Sequence, residues 1–323
     1  MSRVTRQLSL FFILFSFLFL TASATPGYSA GIFFSTNPAY PKPNSEVTVS
    51  IRSFSVDLRE EMIQWVVDGK TVHEGIGQME LLISTKGLGV PTKIEVIVDP
   101  KIPEPERGEL IIIPSTVDLL WEAETYIPDW YEGKALYSER SGLRIVAVPR
   151  FVANGKPLNP ASLTYQWNMD GKKLVAASGD GKNVLDLPQT TPTRQTVWVL
   201  VSTNDATQQA WATITIEPRE PHIMLYEDRP LAGIQHGSIL PDSFYFSAPE
   251  ITVRAEPFYF EQGVTEGSVS WNINGETFNS NEDQPFSFTF GRGRDTGQAR
   301  VTASVKHRLQ SALRSFTILF GTV

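Results

Sequence analysis

The residues of this chain best suited to recognising something outside it are the aromatic stretch Tyr126-Ile127-Pro128-Asp129-Trp130-Tyr131-Glu132-Gly133-Lys134. Indole and phenol rings join a broad apolar face to a polar tip, a combination that anchors interfaces and stacks on sugars. Pro128, Asp129 and Gly133 are turn formers around the rings. The sequence therefore offers Tyr126, Trp130 and Tyr131 as a loop for a protein or glycan partner. The competing expectation is that the loop folds back over the edge of its own domain. The matching stretch further on, Asp228-Arg229-Pro230-Leu231-Ala232-Gly233, has no such aromatic pair, so the feature is not repeated.

Side chains that could run a reaction or hold a metal lack the spacing that such work needs. His73, His222, His236 and His307 are scattered, without the intervals of metal-ligand pairs, and read as surface or turn residues. No Gly-x-Ser-x-Gly elbow occurs. Glu60 and Glu61 would point to opposite sides of an extended chain, and Glu104 and Glu106 lie among prolines with nothing to make them converge. Ser178-Gly179-Asp180-Gly181-Lys182-Asn183 has one carboxylate and none of the spaced acidic ligands of a calcium loop, so it reads as a plain β-turn. Leu187-Pro188-Gln189-Thr190-Thr191 has Thr where a sortase signal needs Gly, and it is internal. The sequence predicts no catalytic residue, no metal site and no cofactor.

What must position the aromatic loop is a repeated element. Gln64-Trp65-Val66-Val67-Asp68-Gly69-Lys70, Gln166-Trp167-Asn168-Met169-Asp170-Gly171-Lys172 and Ser270-Trp271-Asn272-Ile273-Asn274-Gly275-Glu276 share one pattern. Their tryptophans are 102 and 104 residues apart, close to the length of one small β-sandwich. Each Trp sits on a predicted strand, and the Asp-Gly or Asn-Gly after it allows the positive φ values of a tight hairpin. Trp65, Trp167 and Trp271 are accordingly expected to be structural core residues.

Around these motifs the pattern is that of strands. Glu46–Arg52 is apolar at 47, 49 and 51, the period of a half-buried strand. Leu119–Glu122 answers to Met224–Glu227, and Leu143–Phe151 to Ile251–Phe258. Val197–Ser202 with Ala210–Ile216 answers to Ala299–Val305 with Ser315–Phe320. No stretch shows a sustained helical period. The prolines of Asp99–Gly108 predict an extended spacer. The domain reading is a signal peptide (1–24), domain 1 (25–99), a Pro/Glu linker (100–108), domain 2 (109–218) and domain 3 (219–323). Glu217–Pro221 is the shorter boundary, so the last two domains should be held more closely together.

The chain begins with Arg3 and Arg6, an apolar run from Leu8 to Leu20, and Ala22-Ser23-Ala24, the pattern of a cleaved export signal. That run is short of the ~20 residues of a spanning helix, so a membrane contact is expected only through an uncleaved N-terminal segment. A mature start at Thr25 would leave the protein released or held in a complex, since nothing resembling an anchor or sorting tail follows the last strand. The 323 residues include no cysteine, which excludes a disulfide scaffold, a thiol nucleophile and a lipobox. Without the two signal arginines, 26 basic residues face 35 acidic ones, a net charge of −9. Such a chain is poorly suited to nucleic acid, whose phosphates call for cationic surfaces.

Leu163-Thr164-Tyr165-Gln166-Trp167-Asn168-Met169-Asp170-Gly171-Lys172 resembles the third strand and following turn of immunoglobulin-like domains of the bacterial surface type. Polycystic-kidney-disease-type domains carry a similar Trp and Asp-Gly turn, and both families remain open. The resemblance implies an all-β protein of three tandem immunoglobulin-like β-sandwiches after a signal peptide. It departs from antibody domains in lacking their inter-sheet cysteine pair. The expected role is non-catalytic: an exported structural or adhesive component of a bacterial envelope or surface assembly, at the cell surface, outside the cell or in the periplasm. The alternative is a carbohydrate-binding protein using the Trp130/Tyr131 loop. An enzyme is not expected.

Overall fold

Alternation of apolar and polar residues leaves one face of each strand to be buried, and the chain buries these faces in three successive β-sandwiches. The computed structural model describes residues 31–188, 193–292 and 296–321. The expected signal peptide and the end of the sortase-like stretch lie outside the described residues, among which there is no α-helix.

The first module comprises β1 (Ile32–Asn37), β2 (Glu46–Ser53), β3 (Met62–Val67), β4 (Lys70–Ile76), β5 (Glu80–Ser84), β6 (Thr92–Val98) and β7 (Glu106–Ile112). One sheet has the order β1-β2-β5 and the other β4-β3-β6-β7, every pair antiparallel. This corrects the expected boundary. Residues 106–112 are not linker or second domain but the edge strand of the first module, where Leu110 and Ile112 enter its core. Gly108 faces inward on that strand, and a Cβ there would meet the Phe34 ring at 2.8 Å.

The second module comprises β8 (Thr116–Ala123), β9 (Leu143–Arg150), β10 (Val152–Ala153), β11 (Lys156–Pro157) and β12 (Thr164–Met169). It continues with β13 (Lys172–Lys173), β14 (Gly179–Asp180), β15 (Val184–Leu187), β16 (Gln195–Ser202) and β17 (Gln209–Ile216). Sheet β15-β9-β8 packs on β13-β12-β16-β17, with β14 also paired to β12. The stretch 178–183 is thus more than a turn: Gly179–Asp180 adds to the sheet, and Asp180 accepts a hydrogen bond from the Thr164 hydroxyl at 2.6 Å.

The third module comprises β18 (His222–Arg229), β19 (Gly233–Ile239), β20 (Ser243–Tyr245), β21 (Glu250–Phe258) and β22 (Val269–Ile273). Then follow β23 (Glu276–Asn279), β24 (Ser287–Gly291), β25 (Gly297–His307) and β26 (Gln310–Phe320). Sheet β19-β18-β21-β24 packs on β20-β26-β25-β22-β23, in which β20 runs parallel to β26.

Trp65, Trp167 and Trp271 have no exposed surface, and each belongs to a separate core. Burying an indole leaves its N–H to be satisfied. Trp65 donates to the Gln78 carbonyl at 2.7 Å, Trp167 to the Lys182 carbonyl at 2.8 Å and Trp271 to the Ser280 hydroxyl at 2.8 Å. The residue before each turn glycine adopts positive φ: Asp68 49°, Asp170 49° and Asn274 51°. Its side chain also accepts from an amide near the start of the neighbouring long strand: Lys93 at 3.2 Å, Thr196 at 2.8 Å and Arg300 at 2.9 Å. Asp or Asn thus meets two demands that Ala could not, tolerance of left-handed backbone and a short acceptor.

The described residues divide into two compact units, residues 31–114 with Asp205–Gln208, and Ser115–Asn204 with residues 209–321, the second holding both later modules.

Candidate functional site

The aromatic loop leaves β8 at Ala123 and returns to β9 at Leu143, and along it the second module meets the third. Thr125 forms an isolated antiparallel bridge with Glu261. The Tyr126 amide donates to the Phe260 carbonyl at 2.7 Å, and the Tyr259 amide donates to the Tyr126 carbonyl at 2.8 Å. Tyr259 holds a φ of 63°, left-handed backbone that a bulky residue adopts only under such constraint. The loop is therefore joined to the next module by sheet-like backbone bonds, while its rings pack beside them.

Pro128 starts a turn that the Tyr131 amide closes at 2.9 Å, so the Trp130 ring projects from its tip. The ring lies flat on His236, centroids 4.0 Å apart and 16° from parallel. Tyr226 and Phe258 meet it edge-on at 5.5 Å and 6.1 Å. Tyr131 stands edge-on to Phe258 at 5.2 Å, with its hydroxyl 3.5 Å from that of Tyr259. Tyr126 packs against the third core. All three sequence-selected residues thus meet the third module, neither standing free in solvent nor folding over the edge of their own sandwich. His222 and His236 are likewise not surface or turn residues: both are half-buried on strands, His222 stacked on Phe258 and His236 on Trp130. They belong here because imidazole packs flat on an aromatic face as well as binding protons.

Polar contacts complete the joint. Gln310, buried on β26, donates to the Glu139 carbonyl at 2.7 Å and the Ser138 hydroxyl at 3.2 Å, and accepts from the Glu261 amide at 2.6 Å. Gln262 donates to the Thr125 carbonyl at 3.0 Å. Burial raises the Tyr226 phenol above its ordinary value and pushes Tyr259 up to about 12; burial also raises Tyr126, helped by the buried carboxylate of Glu256. Trp130 Nε1 and His236 Nε2 are buried without a hydrogen-bond partner. Among the described residues no group of three or more His, Asp or Glu side chains could hold a metal.

A second aromatic surface lies on the outward face of β12-β16-β17. Val197, Val199 and Val201 point into the core, so alternation turns Trp198 and Leu200 outward, as it does Trp211 and Thr213 on β17. Trp198 pairs with Asn168 on one side and Thr213 on the other; Leu200 pairs with Gln166 and Trp211. Trp211 is 43% exposed. This face carries signal that a period-two reading of Val197–Ser202 contains, since three inward valines leave only the even positions for solvent. The Trp-Asp-Gly repeat drew attention to the inward face instead.

No protein-family model matches the chain, and a search of curated proteins finds no match. Solved structures similar to it include tandem domain arrays. The three N-terminal domains of the bacteriophage RB49 highly immunogenic outer capsid protein are 11% identical over 91% of this chain and 99% of that one, with a TM-score of 0.26. The central fibronectin-III array of RIM-binding protein is 14% identical over 93% and 100%, with a TM-score of 0.31. A Bacteroides ovatus glucan-utilisation protein, SGBP-B, solved with a mixed-linkage heptasaccharide, is 12% identical over 93% and 68%, with a TM-score of 0.22. These likenesses say nothing about what this chain binds.

Proposed function

We propose that the chain is an exported, non-catalytic tandem of immunoglobulin-like modules, a structural or adhesive component of a bacterial envelope or surface assembly. The observation that carries this reading is the use of the loop aromatics as a fixed joint. Trp130 and Tyr131 hold the second and third modules as one body, which suits reach and repeated contact more than a moving cleft. A carbohydrate-binding role for Tyr126, Trp130 and Tyr131 is disfavoured by the same contacts, because a sugar stacking on Trp130 would have to displace His236.

Cell fractionation with sequencing of the mature N-terminus tests the reading. The protein is expected outside the cytoplasm, starting at Thr25 or retaining residues 1–24 as an anchor, with envelope partners recovered by in-cell crosslinking. A protein confined to the cytoplasm would overturn it.

A further inference from the structure

We propose that the outward face of the second module's larger sheet binds a neutral, extended glycan, with Trp198 and Trp211 as stacking platforms and Gln166 and Thr213 as hydroxyl partners. The rings are diagonal neighbours across β16 and β17, because Leu200 stands opposite Trp211 and Trp198 opposite Thr213. That places the two residues about 7–8 Å apart on one face of the sheet. Each ring has an amide or hydroxyl side chain beside it, Thr213 at Trp198, and Gln166 one strand beyond Leu200. A pyranose has the same two-part character, C–H faces for an indole and hydroxyl edges for amides.

Charge narrows the ligand. On β12, β16 and β17 the outward positions 164, 166 and 168, the even positions 196–202 and the odd positions 209–215 include no charged residue, and the two charges at the rim of the face, Lys173 opposite Asn168 and Asp180 opposite Thr164, are of opposite sign. An uncharged ligand fits a face whose centre is uncharged and whose rim charges balance.

The inference deepens the adhesive reading and rests on it, but its test is separate from localisation. The full chain is titrated with neutral hexasaccharides (cellohexaose, laminarihexaose, xylohexaose and mannohexaose) by calorimetry and tryptophan fluorescence. At least one is expected to bind with a shift in indole emission. Trp198→Ala and Trp211→Ala are each expected to weaken binding roughly ten-fold, and the double variant to abolish it. Leu120→Ala, outward on the opposite sheet, and Trp130→Ala are expected to leave it unchanged. Thermal melts establish that each variant is folded. Silence with all four sugars, or binding that survives the double substitution, overturns the proposal. So does concentration-dependent dimerisation that Trp198→Ala removes, which would make the face a protein interface. An exported protein that binds none of the sugars would leave the proposed function standing and this inference refuted.

Discussion

Trp130 of the second module lies flat against His236 of the third, ring centroids 4.0 Å apart and 16° from parallel. Two aromatic faces stacked this closely exclude water between them, and Tyr226 and Phe258 close two further sides of the indole. The joint is therefore a small core of its own between two larger ones. Its stability rests on contacts far apart in sequence.

Gln310 is the polar counterpart of Trp130, since one side chain serves Ser138, Glu139 and Glu261. Gln310→Ala would take a partner from the buried Ser138 hydroxyl and from two part-buried backbone groups, at about 1–3 kcal/mol for a group left buried and unpaired. Urea denaturation is expected to show a lower midpoint for the second and third modules and an unchanged transition for the first. An unaltered profile would show that the joint does not depend on this side chain.

The edge strand β7 makes a prediction about chain length. A fragment of residues 31–99 lacks Leu110 and Ile112 and leaves β6 unpaired along one side, so it is expected to remain unfolded. Residues 31–114 are expected to fold on their own. Circular dichroism and proton NMR dispersion of the two fragments decide this, and a folded shorter fragment would contradict the assignment of β7.

These two cases mark what the sequence made legible and what it did not. Period-two alternation and the Trp-Asp-Gly repeat carried the all-β architecture, because hairpin chemistry and strand burial are local. β7 was hidden because Pro100, Pro103 and Pro105 precede it and its first buried residue, Gly108, looks like a turn former; its smallness instead accommodates Phe34. The joint was hidden for a different reason. Trp130 finds Tyr226, His236 and Phe258 only after both sandwiches have formed, and no local pattern encodes such a meeting. The outward pair Trp198 and Trp211 was readable from alternation, but a strand's inward face explains its folding and draws the eye first.

The buried indoles set the stability of each module. Trp167→Ala removes a side chain with no exposed surface and its bond to the Lys182 carbonyl, at a cost of about 3–5 kcal/mol. Calorimetry is expected to show the second module's transition lowered or lost and the first module's retained. A melt identical to wild type would deny Trp167 its place in the core.

Alkaline pH tests burial in the same module. Tyr165 is fully buried, donates to the Pro160 carbonyl at 3.0 Å, and burial pushes its phenol from 10.0 up to about 12. Below pH 10 both folded and unfolded chains keep this proton, so the group adds no pH dependence. Between 10 and about 12 only the unfolded chain releases it, so stability falls as pH rises through that window. Urea midpoints are expected to fall between about pH 10 and about pH 12, and Tyr165→Phe to remove part of that slope. A slope unchanged by the substitution would place the titration elsewhere.

The most direct test of the joint uses the absence of cysteine, which lets spin labels be placed without background. Labels at Lys156→Cys on the second module and Glu276→Cys on the third, both exposed, report the distance between the modules by pulsed dipolar spectroscopy. One narrow distribution is expected for the otherwise native chain, broadening several-fold with Trp130→Ala. A broad distribution in the native chain, or a narrow one that Trp130→Ala leaves untouched, would contradict the claim that this indole fixes the two modules as one body.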